Sequence, residues 1–325
     1  MNRRDTVLTL LAIGAAPLAC FAQQAGRTYR LGWLSSGALR TEAYNVAFVA
    51  RLRELGFVEG RNLVIEFRSA EGRIERLPGL AAELVRLKCD VALAPGPEAV
   101  LVALKQATRD TPIVAVAIDY DPVAAGHIAS LARPGGWITG ISLQQEELAT
   151  KRLEMLKELL PKARRIAVLA DTSTTRQLAL VLVAARRLGV ELLIHEFKGA
   201  PYDFDVAFAE FARGKAEGLL PLASGLFVPA RRKVTELALK YRLPGMFINA
   251  LWVEAGGLIS YGVNFPAAYR RVAEIVGMVL KGAKPSELQV EQSSNFELTV
   301  NMRSAKALGL TVPKVFLFRA DKLIE

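Results

Sequence analysis

Cysteine and histidine are nearly absent from this chain, with two of each in 325 residues. So few cysteines exclude a disulfide framework, and neither histidine has the spacing of a zinc site. A hydrolase needs a nucleophile with a base, and histidine is missing from the segments where one would be placed. The sequence also lacks G-x-S-x-G, a P-loop and H-E-x-x-H. Arg133-Pro134-Gly135-Gly136 precedes a strand-like run as a turn and is not a dinucleotide-binding glycine pattern. No cofactor or metal is therefore expected. Beyond the N-terminus no apolar run reaches the roughly 20 residues of a membrane span, and no Gly/Ser-rich linker interrupts the chain.

The N-terminus carries an export signal. Arg3 and Arg4 precede the apolar stretch at 7–19, which is too short to span, and small residues permit cleavage after Ala22. Pro17-Leu18-Ala19-Cys20 offers lipid anchoring at Cys20 as an alternative, and the Arg-Arg pair leaves twin-arginine export open. After cleavage only Cys89 remains, and its place before an apolar strand makes it a buried core thiol.

A hydrophobic content of 52% with 23% charged residues identifies a folded chain. The formal net charge is +10, but basic residues alternate with acidic ones, as in 51–61 and 151–165. They form solvated helix faces and no single stripe, so nucleic acid is not an expected partner.

From residue 28 onward, short apolar runs alternate with segments of helical period. The runs are 29–34, 62–67, 90–95, 112–118 and 137–142, with helices expected near 42–56, 73–88, 97–108 and 122–132. After a helix at 145–160 the alternation restarts with 165–170, 191–197, 218–223, 245–250 and 258–263. Helices are expected between them near 175–189, 203–214 and 228–241, then at 265–285. The tail adds strand-like FELTVN and VFLFRA around a short helix. The class is α/β, with right-handed crossovers and parallel sheets. Two successive runs predict two lobes with a seam near 142–146.

Ligands of open parallel sheets bind beyond the carboxyl ends of the strands. Those ends place Ser35, Ser36, Gly96, Pro97, Asp119, Tyr120 and Asp121 in the first lobe. In the second they place Asp171, Thr172, Ser224, Asn249 and Trp252. Such residues also serve as helix caps. Asp119 and Asp121 are too close in sequence for a paired-carboxylate hydrolase, and Pro122 makes Asp121 an N-cap. Tyr120 and Trp252 suit stacking on an aromatic ligand, or else both rings pack near the hinge.

The segments 51–91, 121–142, 151–171 and 253–313 resemble the periplasmic substrate-binding proteins of ABC transporters, in the tryptophan- and tyrosine-binding group. The resemblance implies a type I periplasmic-binding fold, with two lobes, a three-stranded hinge and a ligand in the cleft. It further implies closure on a small molecule, docking to a membrane permease and no catalysis. Lobes of 28–143 plus about 266–290, and 144–265 plus about 291–325, are expected after a signal at 1–22. A monomer is expected of a receptor that must hinge. The chain departs from the family pattern at Tyr120, where glycine is usual, and at Pro97-Glu98, where Thr-Pro is frequent.

Overall fold

The computed structural model describes residues 26–199 and 201–325. The expected export signal and the expected lipidation site at Cys20 lie outside the described residues. The first sheet is built from β1 (Tyr29–Ser35), β2 (Leu63–Ser69), β3 (Val91–Gly96), β4 (Ile113–Ala117), β5 (Ile138–Ser142) and β11 (Glu291–Gln292). Its order is β11-β5-β4-β3-β1-β2, and every pairing is parallel.

Parallel strands covered on both faces read as unbroken apolar runs, because neither face can be polar. In β4 the odd and even positions serve different cores. Val114 and Val116 pack with α1 (Ala43–Glu54) and α9 (Phe265–Leu280), through Phe48, Leu52, Tyr269, Val272 and Val276. Ile113 and Ala115 pack with α2 (Leu77–Arg86) and α3 (Glu98–Ala107), through Leu77, Leu84, Leu101 and Leu104.

The second sheet repeats the design with β6 (Arg165–Asp171), β7 (Glu191–Phe197) and β8 (Gly218–Pro221) in the order β7-β6-β8. A bridge from Leu219 to Gly245 links β8 to the run into β9 (Met246–Phe247). There the sheet continues through β10 (Ile259–Val263), β12 (Phe296–Asn301) and β13 (Lys322–Ile324). β12 runs antiparallel to β10, the one reversal in this lobe's ladder among the described residues. The chain passes between lobes three times. It goes from β5 into α4 (Gln145–Leu159), from β10 into α9, and from β11 into β12. α9 thus belongs to the first core although it follows a strand of the second.

Two expected elements differ. The segment 122–132 is a set of turns, not a helix. The amides of His127 and Ile128 both reach the Pro122 carbonyl, and Gly126 at φ 70° ends the single turn. VFLFRA is mainly α11 (Lys314–Arg319), not a strand. Pro313 starts it, and Phe316, Leu317 and Ala320 meet the core at helical spacing while Phe318 is exposed. So short a run cannot reveal its period.

Gly140 is required where β5 meets β4. Its φ is 142°, and a Cβ there would lie 1.9 Å from the Ala115 carbonyl oxygen. Gly140→Ala is expected to lower stability by more than ~3 kcal/mol in urea denaturation, since strain and a backbone clash add. Gly135→Ala, at φ 70° but with open space around its Cβ, is expected to lose only ~1 kcal/mol. Equal losses would refute the close-approach argument.

Candidate functional site

The carboxyl ends of β1, β3 and β4 face those of β6 and β8 across the interlobe gap. The lobes touch there: a Cβ built on Gly225 would lie 3.6 Å from Pro97 Cδ and 3.7 Å from Ser36 Oγ. A cavity of about 290 Å³ between them is walled by Pro97, Glu98, Asp119 and Tyr120 on one side. Thr172, Ser173, Arg176 and Leu226 wall the other. A smaller space of about 30 Å³ lies by Ser35, Ser36, Gly96 and Gly225. A wider groove of about 660 Å³ runs past Tyr120, Asp121, Gln144, Glu146 and Gln292, beside the hinge segments. The 290 Å³ cavity is the candidate ligand chamber, because it is the one of these three that holds Asp119, a buried carboxylate with both oxygens unpartnered.

Asp119 is the clearest of these. It is 4% exposed, and neither carboxylate oxygen has a hydrogen-bond partner. Burial pushes its carboxyl up to about 7, and the charge of Asp171 across the gap adds to the effect. The Glu98 amide and the Ser173 hydroxyl oppose this rise without completing a hydrogen bond. The hydroxyl of Tyr120 is likewise buried and unpartnered. The Tyr120 ring is not free to stack on a ligand face, since it packs edge-on against His127 with centroids 5.8 Å apart.

His127 organises the wall behind. Lys105 Nζ lies 3.0 Å from its Nδ1, and its Nε2 lies 2.7 Å from Glu98 Oε1. A lysine ammonium can only donate, so Nδ1 accepts and Nε2–H donates to Glu98. His127 is then a neutral positioning group, and Glu98 keeps its full charge. Asp121 is exposed and accepts from the Val123 and Ala124 amides at 2.8 and 3.2 Å, capping the turn.

In the second lobe Asp171 is buried but satisfied. Its Oδ1 accepts from the Ser173 amide and hydroxyl, and its Oδ2 from the Ser224 hydroxyl at 2.5 Å. Thr174 Oγ1 accepts from the Asp171 amide, which closes a capping box at the start of the helical segment. Ser224 and Asp171 therefore serve to shape the wall, and Thr172 and Ser173 present it to the cavity. Asn249 and Trp252 are placed elsewhere. Asn249 caps α8 (Ala250–Glu254) and borders a separate recess with Glu254, Asn264 and Lys322. Trp252 is 1% exposed and stacks on Phe247 at 5.6 Å inside the second lobe's core. Core packing, not ligand stacking, accounts for that ring.

Three structural partners escape a reading based on strand ends. Glu42 and Arg231 form a two-bond ion pair across the cleft, with Nη1–Oε1 at 3.1 Å and Nη2–Oε2 at 3.0 Å. Nothing in either local sequence marks them, since the partners lie 189 residues apart. Arg152 is fully buried beside the hinge. It donates to the Tyr261 carbonyl at 2.7 Å, to Gln145 Oε1 at 2.6 Å and to the Ile248 carbonyl at 3.2 Å. Its spacing from Leu148, Leu156 and Leu159 places it on the buried face of α4, and that signal was available in the sequence.

The family model described as ABC transporter substrate binding protein matches residues 41–324. A tyrosine-binding protein of Clostridioides difficile is 27% identical over 267 residues, which cover 81% of this chain and 75% of that protein. A Vibrio cholerae conserved domain protein of solved structure has TM-score 0.82 and 25% identity, over 91% of this chain and all of that one. A streptococcal ABC domain in complex with L-Trp has TM-score 0.77 and 23% identity, over 90% of this chain and all of that one.

Asp119 gives the unliganded protein a distinct pH dependence. Its folded-state affinity for a proton exceeds that of the unfolded chain, so its contribution is fully present below about pH 4. That contribution falls as pH rises through about 7. Relative to Asp119→Asn, the wild type is expected to lose about 1.4 kcal/mol per pH unit across that window. Parallel stability curves for the two proteins would show that the carboxylate is not buried uncompensated.

Proposed function

The chain belongs to the ABC transporter substrate-binding protein family, and from that premise we propose that it closes its two lobes on a small amine-bearing solute of the amino-acid class. Members of this family bind small molecules and deliver them to permeases. In this reading the protein is exported to the periplasm, acts as a monomer, transforms nothing and hands its cargo to a membrane partner.

The observation that carries the ligand class is Asp119, a buried carboxylate with no partner at the meeting of the lobes. A buried charge without a counter-ion is strongly unfavourable, and a ligand ammonium would supply one. Arg176 on the opposite wall stands where a ligand carboxylate would need a cation. The tyrosine-binding relative and the L-Trp complex are consistent with that class. An aromatic side chain is not required by the cleft, because Tyr120 and Trp252 are both engaged with protein neighbours.

Closure is favoured by contacts that span both lobes. The Glu42–Arg231 pair is one such contact that lies outside the lining of the 290 Å³ cavity. Arg231→Ala is expected to weaken ligand affinity several-fold and to increase the scattering radius of the unliganded protein. A matching amino acid should stabilise the native state by mass action, by ~2.7 kcal/mol at a hundredfold excess over Kd, and so raise the melting temperature. Asp119→Asn should weaken binding more than tenfold. Conversion of a bound solute to product would overturn the receptor reading, and an unaltered affinity in Asp119→Asn would remove that residue from the site.

A further inference from the structure

We infer that the cargo is a basic amino acid, whose α-ammonium takes Asp119 and whose second cationic nitrogen is met by Glu98 of the first lobe. This deepens the proposed function and rests on its interlobe site. The argument is one of charge. The 290 Å³ cavity has two carboxylates on its first-lobe wall, Glu98 and Asp119, and one guanidinium, Arg176, on the other. Arg176 already lies 3.6 Å from Glu146. A zwitterion brings one charge of each sign, which satisfies one carboxylate and the arginine and leaves a carboxylate over.

Among the described residues lining the cavity, Arg176 is the one cationic side chain. His127 binds Glu98 as a neutral imidazole, because Lys105 donates to its other nitrogen. The lysine charge therefore stays one ring behind the wall. Glu98 Oε1 is held by His127, while its side chain stays 45% exposed. The Tyr120 hydroxyl, buried and unpartnered, lies in the field of both carboxylates and can accept from a nitrogen placed there. A flexible chain ending in an ammonium also fits the apolar stretch of wall formed by Ala99 and Leu226. Glu98 and Tyr120, with Asp119, thus border the added site.

Isothermal titration with L-lysine, L-ornithine, L-norleucine, L-tyrosine and cadaverine tests this. L-lysine or L-ornithine is expected to bind at least tenfold more tightly than L-norleucine, which has the same backbone and no second amine. Cadaverine, lacking the carboxylate, should bind more weakly than L-lysine. Glu98→Gln should erase the preference for the basic probe over L-norleucine. Tighter binding of L-tyrosine or L-norleucine than of either basic amino acid would overturn this inference and leave the receptor reading intact. A preference for cadaverine over L-lysine would also overturn it. Silence toward every probe would overturn both this inference and the amine-bearing class proposed above.

Discussion

A carboxylate sealed between two lobes without a partner sets the conditions for the rest of this molecule. Asp119 lies just past the end of β4, and its two oxygens meet neither solvent nor a hydrogen-bond donor. A charge buried there is unfavourable without a proton or a cation in the gap. Asp171, on the facing wall, avoids the same penalty because Ser173 and Ser224 donate to it. Two aspartates on facing walls thereby differ: Asp171 is held by donors and shapes its wall, and Asp119 has no partner.

The hinge depends on a second buried charge. Arg152 extends from α4 to the carbonyls of Tyr261 and Ile248 and to Gln145. Those partners flank two of the three chain crossings. One side chain therefore fixes the start of α4 relative to the end of β10, so that the second lobe can rotate as a unit. The guanidinium remains protonated at neutral pH despite its burial, because its intrinsic affinity for the proton is so high. The Glu42–Arg231 pair acts at the mouth, where bringing the lobes together places the partners within reach of each other.

Much of the fold was legible. Parallel strands buried on both faces leave unbroken apolar runs, and each expected run from 29–34 to 258–263 coincides with a strand of the structure. The failures have local causes. At 122–132 the composition suits a helix, yet Gly126 and Pro122 close the chain into turns. At 315–318 four consecutive apolar or aromatic positions were too few to separate a period of two from one of 3.6. Within the site, strand-end reasoning reached Asp119, Tyr120, Pro97 and Thr172 of the cavity wall. It overlooked Glu98 and Arg176, which lie one step into the following helices, and it included Trp252, whose ring belongs to a core.

The sequence by itself determined the class of fold, the alternation of strand and helix and the set of strand ends from which a cleft could be made. These follow from periodicity and turn chemistry, which act over a few residues. Only the tertiary structure decided which of those ends meet, which aspartate is satisfied and which aromatic is spent on packing. Those outcomes depend on partners far apart in sequence, such as Asp171 with Ser224 or Glu42 with Arg231. Whether a buried polar group finds a donor is a property of the assembled surface, and no local pattern encodes it.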